Sequence, residues 1–177
     1  MKLDQKTFSI ETERLLLVPI SLDYAPVIFG EFTDEITRYM YPITPKEITE
    51  TEAFIKESMQ KFEDGKDIVV AVLKKDSKEY VGNSGLHNID TPTPELGIWI
   101  KKGAHGNGYG KEAVAGLKMW ADSNLTYEYL KYPVVEENMP SRKIAESLGG
   151  EVFLISSQTF KNGKVFSLVD YRIYPPK

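Results

Sequence analysis

The sequence predicts an α/β fold in which helices flank a mixed central sheet of about six to seven strands. The nearly continuous apolar run at 68–73 is typical of a central strand. The strand–helix–strand pattern over 95–135 requires a parallel crossover, whereas the short connections before it require antiparallel neighbours. No linker, repeat or low-complexity tract interrupts the chain, so we expect a single domain over 1–177.

The first elements follow from apolar periodicity and from capping residues. The segment 14–20 (RLLLVPI) predicts a strand that Pro19 ends. Ser21 is a candidate N-cap for a helix whose apolar residues recur at helical spacing as far as Phe32. A second, short helix is expected over 34–40.

The clearest helix start in the sequence is the segment 44–47 (TPKE). It offers a Thr cap, a Pro in the first turn, and a Glu three residues after the cap to complete a capping box. The helix is expected to end at Asp64-Gly65. Three strands should follow, at 68–73, 80–89 and 95–100.

The second half of the chain opens with a glycine-rich segment. Residues 103–110 hold four of the 13 glycines, and a helix with an apolar face from Ala113 to Trp120 follows. Asn162-Gly163 is a strong hairpin signal between the last two strands. The remaining predicted elements are a strand at 130–135, a helix at 138–148 that Gly149-Gly150 ends, and strands at 151–160 and 165–174.

Composition and charge exclude several classes of function. The net charge of −4 argues against a partner such as nucleic acid, which requires a concentrated basic surface. The absence of cysteine excludes disulfides and thiolate nucleophiles, and with only two histidines we expect no metal site. We find no apolar signal segment and no run long enough to span a membrane, so we expect a cytoplasmic protein with no membrane partner.

The glycine-rich loop predicts an anion site. Backbone N–H groups at a helix start point outward, and the helix dipole favours negative charge there. Glycines allow the backbone to approach phosphate oxygens closely, and Lys111 could add a positive charge. A phosphate or pyrophosphate is therefore expected at 105–111.

Two common phosphate motifs do not match this loop. A P-loop requires Gly where this sequence has His105, and Ser or Thr where it has Glu112. A dinucleotide fingerprint requires the spacing G-x-G-x-x-G, whereas the glycines here fall at 106, 108 and 110. A nucleotide-binding protein is therefore a weaker interpretation, and competition between CoA and ATP or NAD would test it.

The segment 105–110 (HGNGYG) has the form [Q/R]-x-x-G-x-[G/A], except that His105 replaces Gln or Arg. This form resembles the pyrophosphate-binding signature of the GNAT superfamily of acetyl-CoA-dependent N-acetyltransferases. The segments 13–17, 95–100 and 135–149 resemble the branch typified by ribosomal-protein N-terminal acetyltransferases, the RimJ/RimL type. Together these segments extend over nearly the whole predicted fold.

The resemblance implies a GNAT fold whose fourth and fifth strands, here 95–100 and 130–135, begin paired and then splay apart. Acetyl-CoA, a co-substrate, would enter the opening and its pantetheine would pair with the fourth strand. Pro133 agrees with this expectation, because proline cannot donate to a strand ladder. The implied cofactor-binding residues are Ile98, Trp99, Ile100, His105, Gly106, Asn107, Gly108, Tyr109, Gly110, Lys111 and Asn138.

The resemblance also implies direct attack of a primary amine on the thioester in a ternary complex. Glu95 is the candidate base, acting through a water, and Ser141 is the candidate acid. Many superfamily members use a Tyr as the acid where this chain has Ala145. His87 is expected to be structural rather than catalytic.

The acceptor site is predicted only from the family's arrangement of helices. Its candidate residues are Tyr24, Phe29, Glu31, Tyr39 and Tyr41. The acceptor itself could be a protein N-terminus or a small-molecule amine, and the protein a monomer or a homodimer.

Because a neutral His105 would lose a charge-assisted contact of about 1–3 kcal/mol, a catalytically silent acyl-CoA-binding sensor on the same fold is the alternative.

Overall fold

The computed structural model describes residues 3–176 and contains one eight-stranded mixed sheet with the order β1-β2-β3-β4-β5-β6-β8-β7. Residues 1, 2 and 177 of the predicted domain lie outside the described residues. The strands are β1 Ile10–Glu11, β2 Leu15–Pro19, β3 Ile68–Lys74, β4 Tyr80–His87, β5 Glu95–Ile100, β6 Leu130–Val135, β7 Glu151–Thr159 and β8 Val165–Ile173. The α-helices are α1 Ala25–Glu31, α2 Asp34–Thr37, α3 Ile48–Glu63, α4 Tyr109–Asn124 and α5 Met139–Ser147.

The predicted α/β class with a mixed sheet is confirmed, and the apolar run of β3 lies inside it. Val70 and Val72 join the core that contains α4, whereas Val69 and Ala71 join the core that contains α1. Side chains on a strand alternate between the two faces, so a strand covered on both sides reads as continuously apolar. Helices therefore cover both faces of the sheet at β3.

The parallel neighbours β5 and β6 separate almost at once. Their register contains one pair, Glu95 with Lys131, and Lys131 N–H donates to Pro94 O at 2.7 Å. From that point β6 follows β8, with which it pairs along its whole length, including Pro133. The predicted splay between these two strands is present, and it opens a cleft along one edge of β5.

The number of strands was underestimated. The structure adds β1, a two-residue strand that pairs with Leu16 and Leu17 at the sheet edge. Two residues carry too little periodicity to be recognised in a sequence. The strand predicted over 80–89 also ends earlier, at His87, because Asn88 has a left-handed φ of 55° that breaks the extended backbone.

The predicted start of α3 at 44–47 was wrong. Thr44 Oγ1 lies 2.9 Å from Thr37 Oγ1, so this hydroxyl bonds a neighbouring helix. The capping box forms instead between Glu47 and Glu50, and the helix begins at Ile48. Glu50 accepts from the backbone N–H groups of Lys46 and Glu47 at 2.8 and 3.1 Å.

The first helical segment is also more broken than predicted. Ser21 caps a short 3-10 turn, Leu22–Tyr24, through its backbone oxygen, and α1 follows as a separate helix with Pro26 in its first turn. The short helix expected over 34–40 ends at Thr37. Among residues 3–176, no helix is both long and apolar enough to cross a membrane.

Candidate active site

The space between β5 and β6 is part of a cleft of about 1130 Å³. Its floor includes β4 and β5, and its sides include β6, α5 and the β7–β8 hairpin. Several of the predicted site residues line it, namely Glu95, Ile98, Trp99, Asn138, Ser141, Tyr39 and Tyr41. The splay of the sheet therefore brings together residues from distant parts of the chain.

The backbone of β5 presents hydrogen-bonding groups to this cleft. Lys101 N–H donates to Val81 O at 2.8 Å, which fixes the phase of the antiparallel β4–β5 ladder. Bonded residues alternate in such a ladder, so the backbone groups of Ile98 and Ile100 face away from β4, toward β6. A chain lying in the opening could pair with Ile98 as an added strand would.

His105 forms a hydrogen bond with the last residue of β5. Its Nε2 lies 2.7 Å from Ile100 O, and because a carbonyl only accepts, Nε2 carries the hydrogen. The imidazole thus contacts the protein rather than standing free in solvent. Its contact differs from the charge-assisted one that Gln or Arg at this position would imply.

The glycine loop is shaped by two left-handed residues. Gly106 and Gly108 have φ values of 79° and 77°, a conformation that a side chain at either position would strain. Asn107 Nδ2 donates to the carbonyls of Ala104 and His105 at 3.2 and 3.0 Å, which closes the loop on itself. Gly108 is the N-cap of α4, so the loop leads directly into the start of a helix.

Arg14 ties this loop to the rest of the fold. It donates from Nη1 to Asn107 O at 3.0 Å and from Nε to Glu112 Oε2 at 2.7 Å. Its guanidinium also lies 5.0 Å above the ring of Tyr109. Lys111 is exposed in the first turn of α4, where an anion would meet it.

Glu95 lies where β5 and β6 part. It pairs with Lys131 on β6 and stands opposite His87 on β4. Burial raises the pKa of the Glu95 carboxyl; His87 and Lys131 oppose the rise, and Asp170 adds to it. A carboxylate whose pKa is raised toward neutrality is suited to accept a proton during catalysis.

His87 is anchored by a buried carboxylate. Its Nδ1 lies 3.0 Å from Asp67 Oδ2, and the Asn88 N–H donates to Asp67 Oδ1 at 2.8 Å. Burial opposes ionisation of Asp67, but the bonds from His87 and Asn88 outweigh it and lower the pKa of this carboxyl. Within residues 3–176, no cluster of three or more His, Asp or Glu side chains is arranged to hold a metal ion.

Ser141 and Asn138 meet at the start of α5. Asn138 caps the helix by accepting the Ser141 N–H at 3.4 Å. Ser141 Oγ lies 2.9 Å from the hydroxyl of Tyr132, a buried residue of β6. Burial raises the pKa of Tyr132 to about 12, although the bond with Ser141 works against the rise. Tyr132 therefore keeps its proton near neutral pH, and the two hydroxyls form a chain that can donate.

The five predicted acceptor residues do not all reach the cleft. Tyr39 and Tyr41 are among its lining residues, but Tyr24, Phe29 and Glu31 are not. Tyr24 stacks instead on Tyr80, with the ring centroids 6.0 Å apart. These three residues belong to the 3-10 turn and to α1.

An aromatic side chain of β5, Trp99, forms part of the cleft lining. Trp99, predicted from its backbone as a cofactor contact, packs against Phe32 with the ring centroids 4.9 Å apart. Beside it on β4, Asn83 is buried, and its Oδ1 accepts from the Tyr80 hydroxyl at 2.8 Å. Neither Phe32 nor Asn83 was singled out from the sequence, because neither belongs to a motif.

Sequence reasoning also missed Asp67 and Tyr132. Asp67 contacts His87 across 20 positions of the chain, and Tyr132 contacts Ser141 from a different element. Local patterns give no signal for such pairs. Ala145, at the position where the resemblance would place a Tyr acid, is fully buried in the core. Alanine has no hydroxyl, so this position cannot supply the acid.

Comparison with known families decides the class of protein. The sequence model of the acetyltransferase (GNAT) domain matches residues 14–151, which is most of the chain. This chain belongs to the GNAT acetyltransferase family. The prediction of an acetyl-CoA-dependent N-acetyltransferase is confirmed at the level of that family.

Individual relatives agree with the family. The chain is 28% identical over 144 residues to the uncharacterized N-acetyltransferase p20 of Bacillus licheniformis, covering 79% of this chain and 80% of p20. A putative ribosomal-protein-serine acetyltransferase from Vibrio cholerae shares the fold with a TM-score of 0.79 at 21% identity, over 96% of this chain and 98% of the other. Microcin C7 self-immunity acetyltransferase MccE, solved with acetyl-CoA and AMP, has a TM-score of 0.81 at 18% identity, over 92% and 93%. Identity this low establishes the shared fold and leaves the substrate open.

Proposed function

We propose that this protein transfers the acetyl group of acetyl-CoA to a primary amine by direct attack on the thioester in a ternary complex. The observation that carries the proposal is the separation of β5 and β6 after the single pair Glu95–Lys131. That separation exposes the backbone edge of Ile98 inside a cleft that also contains a half-buried carboxylate and a pair of hydroxyls. A thioester, a base and an acid can meet there.

The cofactor would lie across the edge of β5 and end at the glycine loop. Its pantetheine would pair with Ile98, and a backbone N–H of this edge would polarise the thioester carbonyl. Its pyrophosphate would bind the N–H groups at the start of α4, beside Lys111. The structural relative MccE was solved with acetyl-CoA, which supports this choice of co-substrate.

Proton transfer would use groups on both sides of the thioester. The amine reaches the site as an ammonium and must lose a proton before it can attack. Glu95 would accept this proton through a water, because burial has raised the pKa of its carboxyl. Ser141, in contact with Tyr132, would donate a hydrogen bond and then a proton to the departing thiolate.

The acceptor class follows from the lining of the cleft. Glu95 and Asp170 supply negative charge, and Trp99, Tyr39 and Tyr41 supply aromatic faces. Carboxylates and aromatic rings together favour an organic cation, which fits a protein N-terminus or a small-molecule amine. The protein would act as a monomer or homodimer, and no feature of the cleft requires nucleic acid or a membrane.

The proposal is tested first by titration calorimetry with acetyl-CoA, using ATP and NAD as controls. Saturable binding of acetyl-CoA alone is expected, and binding of ATP or NAD instead would overturn the proposal. CoA release is then measured with a panel of peptides, amino acids and polyamines. Binding without turnover on any amine would favour the silent acyl-CoA sensor.

Two variants separate the enzyme from the sensor. Glu95→Gln and Ser141→Ala remove the base and the acid while keeping similar side-chain volumes. If the protein is the proposed enzyme, both variants lose turnover by about 10²-fold or more and still bind acetyl-CoA. Unchanged turnover in either variant would remove that residue from the mechanism.

A further inference from the structure

The imidazole of His87 packs over two glycines of the sheet. A Cβ placed on Gly85 would lie 2.5 Å from His87 Nε2, and a Cβ on Gly97 would lie 3.7 Å from it. The imidazole therefore lies over two residues without side chains, on the floor of the cleft. Gly97 immediately precedes Ile98, with which the pantetheine is expected to pair.

The other ring nitrogen is held by Asp67. The side chain of Asp67 is 10% exposed, and its Oδ2 lies 3.0 Å from His87 Nδ1. A carboxylate with a lowered pKa is ionised and can only accept, so Nδ1 carries the hydrogen of the neutral ring. The lone pair of the neutral imidazole is thus at Nε2, the nitrogen that lies over Gly85 and Gly97.

We propose that the Asp67–His87 pair is a second proton-transfer group of this site, which takes up the proton that Glu95 removes from the acceptor ammonium. The proposal rests on the acetyltransferase function proposed above and assigns a catalytic role to a residue expected to be structural. Glu95 and His87 are cross-strand partners on one face, a placement that brings Cβ atoms to about 5 Å. Glu95 therefore lies beside His87, near enough for the imidazole to oppose the rise that burial causes in the pKa of its carboxyl.

The reaction balances with this group included. The ammonium loses one proton through Glu95 to His87 Nε2, and the resulting imidazolium is stabilised by Asp67 until the proton passes to solvent. The amine nitrogen then bonds the acetyl carbon, and the carbon–sulfur bond of acetyl-CoA breaks. The second nitrogen proton leaves, and the thiolate gains one through Ser141. The net products are the amide, CoA with its thiol, and one proton.

Charged groups from several elements surround His87. Asp67 contacts it from the start of β3, and Glu95 faces it from β5. Lys61 of α3 lies 3.8 Å from Asp67 and is partly exposed. Lys131 of β6 and Asp170 of β8 act on Glu95 from the far side, with opposite signs. Two carboxylates therefore stand next to the ring, and Lys61 pairs with one of them, Asp67.

The variant Asp67→Asn tests the role of Nε2 directly. The amide oxygen of the introduced side chain can still accept from the Asn88 N–H, and its NH₂ group can donate to His87 Nδ1. The geometry is preserved, but the hydrogen of the neutral ring is moved to Nε2, which removes its lone pair. The same inversion of a histidine tautomer lowers kcat by about 10⁴-fold in a serine protease. His87→Asn is the complementary change, because its amide replaces Nδ1 and nothing replaces Nε2.

The first readout is the imidazole tautomer, observed by ¹⁵N NMR without any acceptor. The chain has only two histidines, so His105→Asn assigns the His87 signals. We expect a hydrogen on Nδ1 in the wild type and on Nε2 in Asp67→Asn. A wild-type ring with its hydrogen on Nε2 would overturn the proposal, whether or not an acceptor amine is found.

The second readout is the pH dependence of kcat/KM with the amine that turns over best in the panel. We expect Asp67→Asn and His87→Asn to lower kcat by roughly 10²-fold, to change the shape of the pH profile, and to bind acetyl-CoA as the wild type does. The matched control is Asp64→Asn, which removes a carboxylate three positions before Asp67 that accepts a hydrogen bond from Gln60. This variant should behave as the wild type. Full activity in Asp67→Asn would show that the pair is structural. Absence of turnover in the wild type would instead count against the acetyltransferase itself.

Discussion

Glu112 connects the N-terminal strand region to the glycine loop, and its removal should weaken both. Its carboxylate accepts from Thr12 Oγ1 at 2.6 Å and from the Arg14 N–H at 2.7 Å, and it pairs with the Arg14 guanidinium at 2.7 Å. Arg14 in turn donates to Asn107 O in the loop. The Glu112 side chain is 16% exposed, so these bonds are partly shielded from water.

The expected cost can be estimated bond by bond. Two hydrogen bonds to a charged, largely buried acceptor contribute about 1.5 kcal/mol each at the low end of their range. The ion pair adds little to this, because the Arg14 side chain is 48% exposed and solvent screens its charge. We therefore expect Glu112→Ala to lower the free energy of unfolding by about 3 kcal/mol. Release of Arg14 from its position should also weaken acetyl-CoA binding roughly fivefold.

The assays are urea unfolding for stability and calorimetry for acetyl-CoA. Glu112→Gln is the matched variant, because its amide oxygen can still accept from Thr12 and Arg14 N–H while its NH₂ group opposes the guanidinium. It should lose about half as much stability as Glu112→Ala. A loss below about 1 kcal/mol in Glu112→Ala, or unchanged acetyl-CoA affinity, would refute the proposed link between this carboxylate and the loop.

Three further outcomes are expected. Ser141→Ala should keep its acetyl-CoA affinity while kcat falls in the CoA-release assay. The control is Ser147→Ala, because the Ser147 hydroxyl bonds Ile144 O within the same helix; its kcat should be unchanged. Gly82→Ala would place a Cβ 2.2 Å from Trp99 O, so urea unfolding should show a loss above about 2 kcal/mol in the free energy of unfolding. Gly30→Ala, in open space on α1, should raise that free energy by roughly 0.5–1 kcal/mol. In the folded protein the pKa values of Asp67 and Glu112 are lowered from 3.8 and 4.5, so these groups take up protons in the unfolded chain first. The free energy of unfolding should therefore fall as the pH drops through those values, and should fall less steeply in Glu112→Ala. A stability that rises as the pH falls through 4.5 and 3.8 would contradict that reasoning.

Much of the fold was accessible from local patterns. The apolar run of β3, the Asn162-Gly163 turn and the glycines before α4 each reflect a requirement of a few consecutive residues. The errors lie where a distant contact competes with a local preference. Thr44 bonds Thr37 rather than capping α3, and Asn88 adopts a left-handed conformation that ends β4. Local propensity is a weak preference that tertiary contacts override.

The family could be recognised from local sequence, because the glycine loop and the segments around it are contiguous and their chemistry depends on backbone geometry. The sequence also identified Glu95 and Ser141 as candidates, since each follows from a motif position. Only the tertiary structure decided which side chains meet. It placed Asp67 against His87 and Tyr132 against Ser141, and it kept Tyr24 away from the cleft. These pairs depend on strand register and on the splay of β5 from β6, which arise from packing of the whole sheet and leave no signal in any one segment.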